Sequence, residues 1–167
     1  MTLVAPDDDP MFLLEWVERY GLAPRVRIGV AHPVLGGRNR STDAGDLAAV
    51  GATIQRFVAT AEGTGETVGF DCGLTPCMFS EGFAAGHPDV IETVGTRCAP
   101  IVDILPEGDA IACYALAHVV RIPLGETATR QGLIATLEEH LDRVVPAAGT
   151  YEMCASCAHH AAGRCNG

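Results

Sequence analysis

The sequence contains no lysine. Its 11 basic residues are all arginine and stand against 21 aspartates and glutamates, a formal net charge of −10 over 167 residues. Arginines scattered singly through an acidic chain release few counterions from a phosphate backbone, which argues against generic nucleic-acid binding. A long apolar run is also missing. The longest, 111–120, contains His118 and reaches about half of the roughly 20 residues a membrane helix needs, so no membrane span is expected. The first ten residues, MTLVAPDDDP, are acidic where a secretory signal has a basic start and a continuous apolar stretch; the chain therefore reads as cytoplasmic. The 48% of hydrophobic residues suffices for the core of one domain, or one and a fraction.

Along the chain, Asp9-Pro10 reads as a helix start. Phe12, Leu13, Trp16, Val17 and Tyr20 follow at helical spacing to Gly21, and the stripe around Trp16 reads as core. The segment 25–31, RVRIGVA, alternates and is rich in β-branched residues, which predicts a strand ended by His32-Pro33 and the Gly36-Gly37 loop. Thr42 or Asp43 is placed to cap a second helix to about Ala61, with Leu47, Val50, Ile54, Phe57 and Val58 on one face, stopped by Gly63-Thr64-Gly65. Residues 67–71 predict a short buried strand. Helix, strand, helix, strand implies parallel strands joined by right-handed crossovers. Beyond Cys72 the pattern becomes irregular, with room for one short helix. Runs 101–105 and 110–115 then flank Pro106-Glu107-Gly108-Asp109 and predict a hairpin. A third helix is expected over about 127–145, with Leu133, Ile134, Leu137, Leu141 and Val144 as its apolar stripe and Pro146 at its end. The last segment, 151–167, has too few large apolar residues for its own core.

Seven cysteines lie at 72, 77, 98, 113, 154, 157 and 165. An odd number in a chain without an export signal favours metal ligation over a disulfide framework. Cys98 precedes Gly108 by nine intervening residues, and four more separate Gly108 from Cys113, so the two cysteines flank the hairpin. Cys154-Ala-Ser-Cys157 is a short chelate loop of the type that grips one metal ion or a cluster, with Cys165 close behind.

This set resembles the carboxy-terminal region of radical S-adenosylmethionine enzymes with a SPASM or twitch domain. Cys98, Gly108 and Cys113 match the first half of that family's auxiliary-cluster pattern in both spacings; Cys154 and Cys157 match the opening of the second half. The strand RVRIGVAHP and the strand VGFDC also look like the last strands of the family's partial barrel. The resemblance implies an α/β fold, with the last βα units of a partial (β/α) barrel over 1–71 and a cysteine-rich β-hairpin and helix, the auxiliary-cluster domain, over 72–167. It implies an iron–sulfur cluster of the 4Fe–4S type, held by Cys98, Cys113, Cys154, Cys157 and Cys165, that serves electron transfer or substrate anchoring, often on peptides. Cys72 and Cys77 directly follow the last parallel strand, where sites in parallel sheets lie; they read either as further ligands or as small buried thiols.

Three departures from the family have consequences. The Cys-x-x-x-Cys-x-x-Cys loop that binds the cluster cleaving S-adenosylmethionine is absent, so this cofactor belongs to a complete parent enzyme and no activity is expected from the chain alone. Seven residues separate Cys157 from Cys165 where the family usually has five. The sequence also ends before the family's later cysteines, so the chain reads as cut at both ends. On the barrel reading, segment 25–31 is left as an exposed edge that invites self-association or a missing amino-terminal half. A rival reading makes Cys154, Cys157, Cys165 and one of His159 and His160 a structural zinc site without redox chemistry. A thiol redox pair at Cys154 and Cys157 is a weaker third, because the loop that follows them is rich in alanine, histidine and glycine. His159 and His160 also read as solvated, His32 as a polar loop residue, and Asp7-Asp8-Asp9 as a solvated, helix-starting charge run.

Overall fold

A computed structural model describes residues 2–31, 34, 39–92, 94, 100–125, 129–148 and 151–165. The fold is mixed α/β with two small sheets. Two compact units divide the chain, Met1–His32 with Arg40–Thr96, and Pro33–Asn39 with Arg97–Gly167.

The first unit is built on three parallel strands, β1 (Thr2–Val4), β2 (Arg25–Val30) and β3 (Thr67–Phe70), in spatial order β1-β2-β3. Helices α1 (Phe12–Tyr20) and α2 (Leu47–Thr64) make the two crossovers. β2 is thus the central strand, which corrects the expectation that 25–31 is an exposed edge: Thr2, Leu3 and Val4 pair with Ile28, Gly29 and Val30. Three residues are too few to show a strand period, so β1 is set by its partner.

The α1 expectation is also corrected. Leu14 is buried and Leu13 and Val17 are packed against the core, whereas Phe12, Trp16 and Tyr20 are exposed. Asp9 does act at the helix start, its carboxylate accepting the Met11 N–H at 3.2 Å. Helix α2 buries all five expected residues, Leu47, Val50, Ile54, Phe57 and Val58. It runs to Thr64, where Gly65 takes a φ of +87° and reverses the chain. Its start is not the side-chain cap expected of Thr42 or Asp43. A 3₁₀ turn, Ala44–Asp46, leads in without a capping bond, and the Thr42 hydroxyl is buried.

Residues after Cys72 are more helical than their sequence suggests: a 3₁₀ turn Pro76–Met78, then α3 (Glu81–Gly86) and α4 (Pro88–Glu92). They supply Leu74, Met78, Phe79, Phe83 and Val94 to the first core. Rings of Phe70, Phe79, Phe83 and His87 form a ladder at centroid spacings of 5.9, 5.4 and 4.2 Å. Gly51, inside α2, faces the Met78 backbone so closely that a Cβ there would overlap its carbonyl.

The second unit holds the expected hairpin, β4 (Asp103–Ile104) against β5 (Asp109–Ile111), antiparallel, with Gly108 at φ +87° in the turn. A third strand, β6 (Arg121–Pro123), pairs with β5 and was not evident in the sequence. Arg121 pairs with Asp109 and Glu107, tying β6 to the turn. Helix α5 (Arg130–Ala148) packs Leu137 and Leu141 against Ala112 and Val120. It continues past Pro146, where an end was expected; a missing N–H costs one ladder bond, which a last turn tolerates more easily than an interior one. A 3₁₀ turn (Glu152–Ser156) and α6 (Ala158–Ala161) close the described chain.

Candidate functional site

The loops after the three parallel strands carry a concentration of polar side chains at their carboxyl ends, where ligands of parallel sheets bind. After β1, the Asp8 carboxylate accepts the Ala5 N–H at 2.8 Å. Arg40, from beyond β2, reaches Asp7 at 3.0 Å and Asp8 at 3.2 Å. Asp7 and Asp8 are therefore not just solvated charge: they hold an arginine 33 and 32 residues away. The Thr42 N–H donates to the Ala31 carbonyl at 2.9 Å, while its hydroxyl is buried without a hydrogen-bond partner among the described residues. After β3, Asp71 is held by the Arg27 guanidinium at 3.1 Å.

Cys72 is fixed by that carboxylate. Its N–H donates to Asp71 Oδ1 at 3.0 Å and its thiol to the same oxygen at 3.4 Å. Its carbonyl accepts the Val30 N–H at 2.9 Å, extending the β2–β3 ladder by one bond. Cys77 sits in the Pro76–Met78 turn with its sulfur 3.1 Å from the Thr75 hydroxyl. Both cysteines are exposed at loop positions of the first unit, which sets aside the reading of them as buried thiols.

The remaining described cysteines lie in the second unit. Cys113, two residues past β5 and extended, leads into a 3₁₀ turn (Tyr114–Leu116). Cys154 and Cys157 are joined by one tight turn, the Cys157 N–H donating to the Cys154 carbonyl at 3.1 Å, which keeps their Cα atoms within about 7 Å. The seven residues to Cys165 form α6 and a reversal at Gly163, whose φ is +64°. There the Arg164 N–H bonds to the His159 carbonyl and the Gly163 N–H to that of His160, the paired bonds of a Schellman motif. His159 and His160 lie in α6, half-buried. Cys98, His32-Pro33, the Gly36-Gly37 loop and Thr127 lie outside the described residues.

Among the described residues, no three His, Cys, Asp or Glu side chains converge as a ligand group. Arg27, Arg40 and Asp71 carry no motif in the sequence, and only the pairing of distant segments reveals them; Thr42 was read as a helix cap. No helix among the described residues is long and apolar enough to cross a membrane. No protein-family model, curated protein or solved structure matches the chain.

Proposed function

We propose that the chain is the carboxy-terminal part of a radical S-adenosylmethionine enzyme and that its second unit binds an auxiliary iron–sulfur cluster. The observation that carries this reading is the hairpin. The spacing of Gly108 and Cys113 fits an antiparallel turn in which Gly108 is left-handed and Cys113 lies two residues past the end of the return strand, with Cys98 expected before it. The first unit adds support: its parallel strands progress in one direction, as in a singly wound barrel, and the last leads straight into Cys72.

The donor chemistry fits the cluster, since thiolates are the ligands iron–sulfur clusters take. Cys98, Cys113, Cys154, Cys157 and Cys165 would hold it, with the Cys154–Cys157 turn offering two thiols from one loop. Bound, it would supply one-electron transfer or an iron site for substrate, a peptide being the class that the resemblance favours. Asp71, pinned by Arg27, orients Cys72, and Arg40 bridges the loop after β1 to the one after β2. Generation of a radical from S-adenosylmethionine needs the Cys-x-x-x-Cys-x-x-Cys loop, which these residues do not contain.

Anaerobic reconstitution with iron and sulfide tests the reading. A brown protein with broad charge-transfer absorption, lost in Cys113→Ser or Cys154→Ser, is expected. Stoichiometric zinc with no iron uptake and a colourless product would replace it with a structural zinc site, for which Cys154, Cys157, Cys165, His159 and His160 all lie in one short segment.

A further inference from the structure

We propose that Cys154 and Cys157 are an oxidisable dithiol and that closing a disulfide between them releases metal from the carboxy-terminal segment, a redox control that rests on the metal-binding reading of this segment, iron–sulfur or zinc alike. Both cysteines are half-buried.

The backbone holds the pair in range. The Cys157 N–H donates to the Cys154 carbonyl at 3.1 Å, and a turn closed by such a bond brings residues three apart to within about 7 Å between Cα atoms. A disulfide takes Cα atoms roughly 4.4–6.8 Å apart, so this pair can close without unfolding the turn. At about three residues per 3₁₀ turn, positions three apart also stand on the same side. Both ends are pinned: the Cys154 N–H donates to the Tyr151 carbonyl at 2.8 Å, and the Cys157 carbonyl accepts the Ala161 N–H at 2.9 Å. The residues directly after Cys157, expected as a loop, are α6. Among the described residues no other two cysteines are joined by a single turn. The Cys72 thiol is held by Asp71 at 3.4 Å, the Cys77 sulfur lies 3.1 Å from the Thr75 hydroxyl, and α6 stands between Cys157 and Cys165.

Exchange with a small-molecule disulfide supplies the oxidation. One protein thiolate attacks a sulfur of that disulfide, forms a mixed disulfide and expels a small thiolate; the second then attacks the protein sulfur of the mixed disulfide and expels the other. Two protein thiols become one disulfide, one small disulfide becomes two thiols, and the two protons pass to the departing thiolates. A sulfur in a disulfide is no longer a thiolate ligand, so bond and metal exclude one another. The new ring spans only four residues, whereas a metal held also at Cys165 ties down the chain through α6. With no residue buried in the 3₁₀ turn or in α6, oxidation frees the segment.

Trypsin isolates the bond, since peptide 144–164 contains these two cysteines and no other. The full chain is reduced, loaded with zinc, treated with oxidised glutathione and blocked with N-ethylmaleimide. The peptide should emerge lighter by two hydrogens and unblocked, zinc should be released in step with it, and reduction should restore zinc uptake. Zinc at about 100 times its dissociation constant should slow bond closure roughly 100-fold, because it occupies the pair. Cys157→Ser should trap a glutathione adduct on Cys154. A parent peptide that carries two adducts, or is blocked at both cysteines while Cys72 and Cys77 are oxidised, overturns the proposal. So does a bond that closes with zinc still bound. A chain that closes the bond but takes up neither zinc nor iron overturns the metal reading, and the release with it, leaving a dithiol alone.

Discussion

Replacing Gly51 by alanine tests how firmly the Cys72–Cys77 segment is docked on α2. In an open helix the change would gain about 1 kcal/mol of helix propensity. Here the new methyl overlaps the Met78 carbonyl, a backbone group that cannot rotate out of the way. Relief takes one of two forms. The 3₁₀ turn Pro76–Met78 strains in place, at about 1–3 kcal/mol for an overpacked contact. Alternatively it lifts off and exposes Met78, now 2% exposed, at about 1.5–3 kcal/mol for a full side chain. Less the propensity gain, the net loss is about 0–2 kcal/mol against the parent and about 1–3 kcal/mol against an alanine placed in open helix. Gly63→Ala, in the same helix with open space around it, is the control and should be neutral or stabilising. Guanidinium unfolding followed by far-ultraviolet ellipticity reads both, provided the slope is unchanged. A Gly51→Ala chain as stable as Gly63→Ala would refute the close docking.

His87 gives a pH-dependent contribution. Its Nδ1 lies 2.9 Å from the Phe83 carbonyl and its Nε2 3.3 Å from the Glu62 carboxylate, and only the imidazolium donates to both. The Phe83 bond chiefly raises its pKa above 6.5, with Glu62 and Asp89 adding and burial opposing. The folded state thus binds this proton more tightly than the unfolded one. The stabilisation is complete below the unfolded pKa and is lost as pH rises through the folded one. His87→Gln should therefore cost stability at about pH 5.5 and little at about pH 8, and equal costs would contradict the assignment. The segment from Glu152 to Cys165 buries no residue in its 3₁₀ turn or in α6, so nothing apolar offsets about 1–2 kcal/mol of ordering entropy per residue. Removing metal should open it to protease before the first unit, and equally slow cleavage with and without metal would show that it orders itself.

Legibility in the sequence followed burial. The stripes of α2 and α5, strands β2 and β3, and the turn at Gly108 were readable because one face of each is committed to a core. Two stripes coexist on α1 at helical spacing, and periodicity does not say which faces the sheet. The larger, aromatic one is exposed, while the smaller Leu13-Leu14-Val17 set packs. Strands β1 and β6 have three residues each, too short for an alternation, and exist through their partners. Cysteines announced themselves by residue type and spacing. Arg40 and Asp71 could not, since their roles come from pairing with Asp7, Asp8, Arg27 and Cys72 across separate strands.

The distribution of buried residues gives the cysteines a physical rationale. In the first unit a wide cluster that includes Ile28, Val50, Ile54, Phe57 and Val58, with the Phe70–Phe79–Phe83 ladder beside it, accounts for order without any ligand. Among the described residues the buried cluster around α5 is smaller, Ala112, Val120, Leu137 and Leu141, beside strands of two or three residues. Sheets that short are marginal alone. Cys113, Cys154, Cys157 and Cys165 all fall in this unit, where the free energy of a bound metal would add directly to folding free energy. That argument holds for zinc and for an iron–sulfur cluster alike. What separates them is redox chemistry: zinc leaves its thiolates colourless and redox-silent, whereas an iron–sulfur cluster brings charge-transfer absorption and a reduction potential.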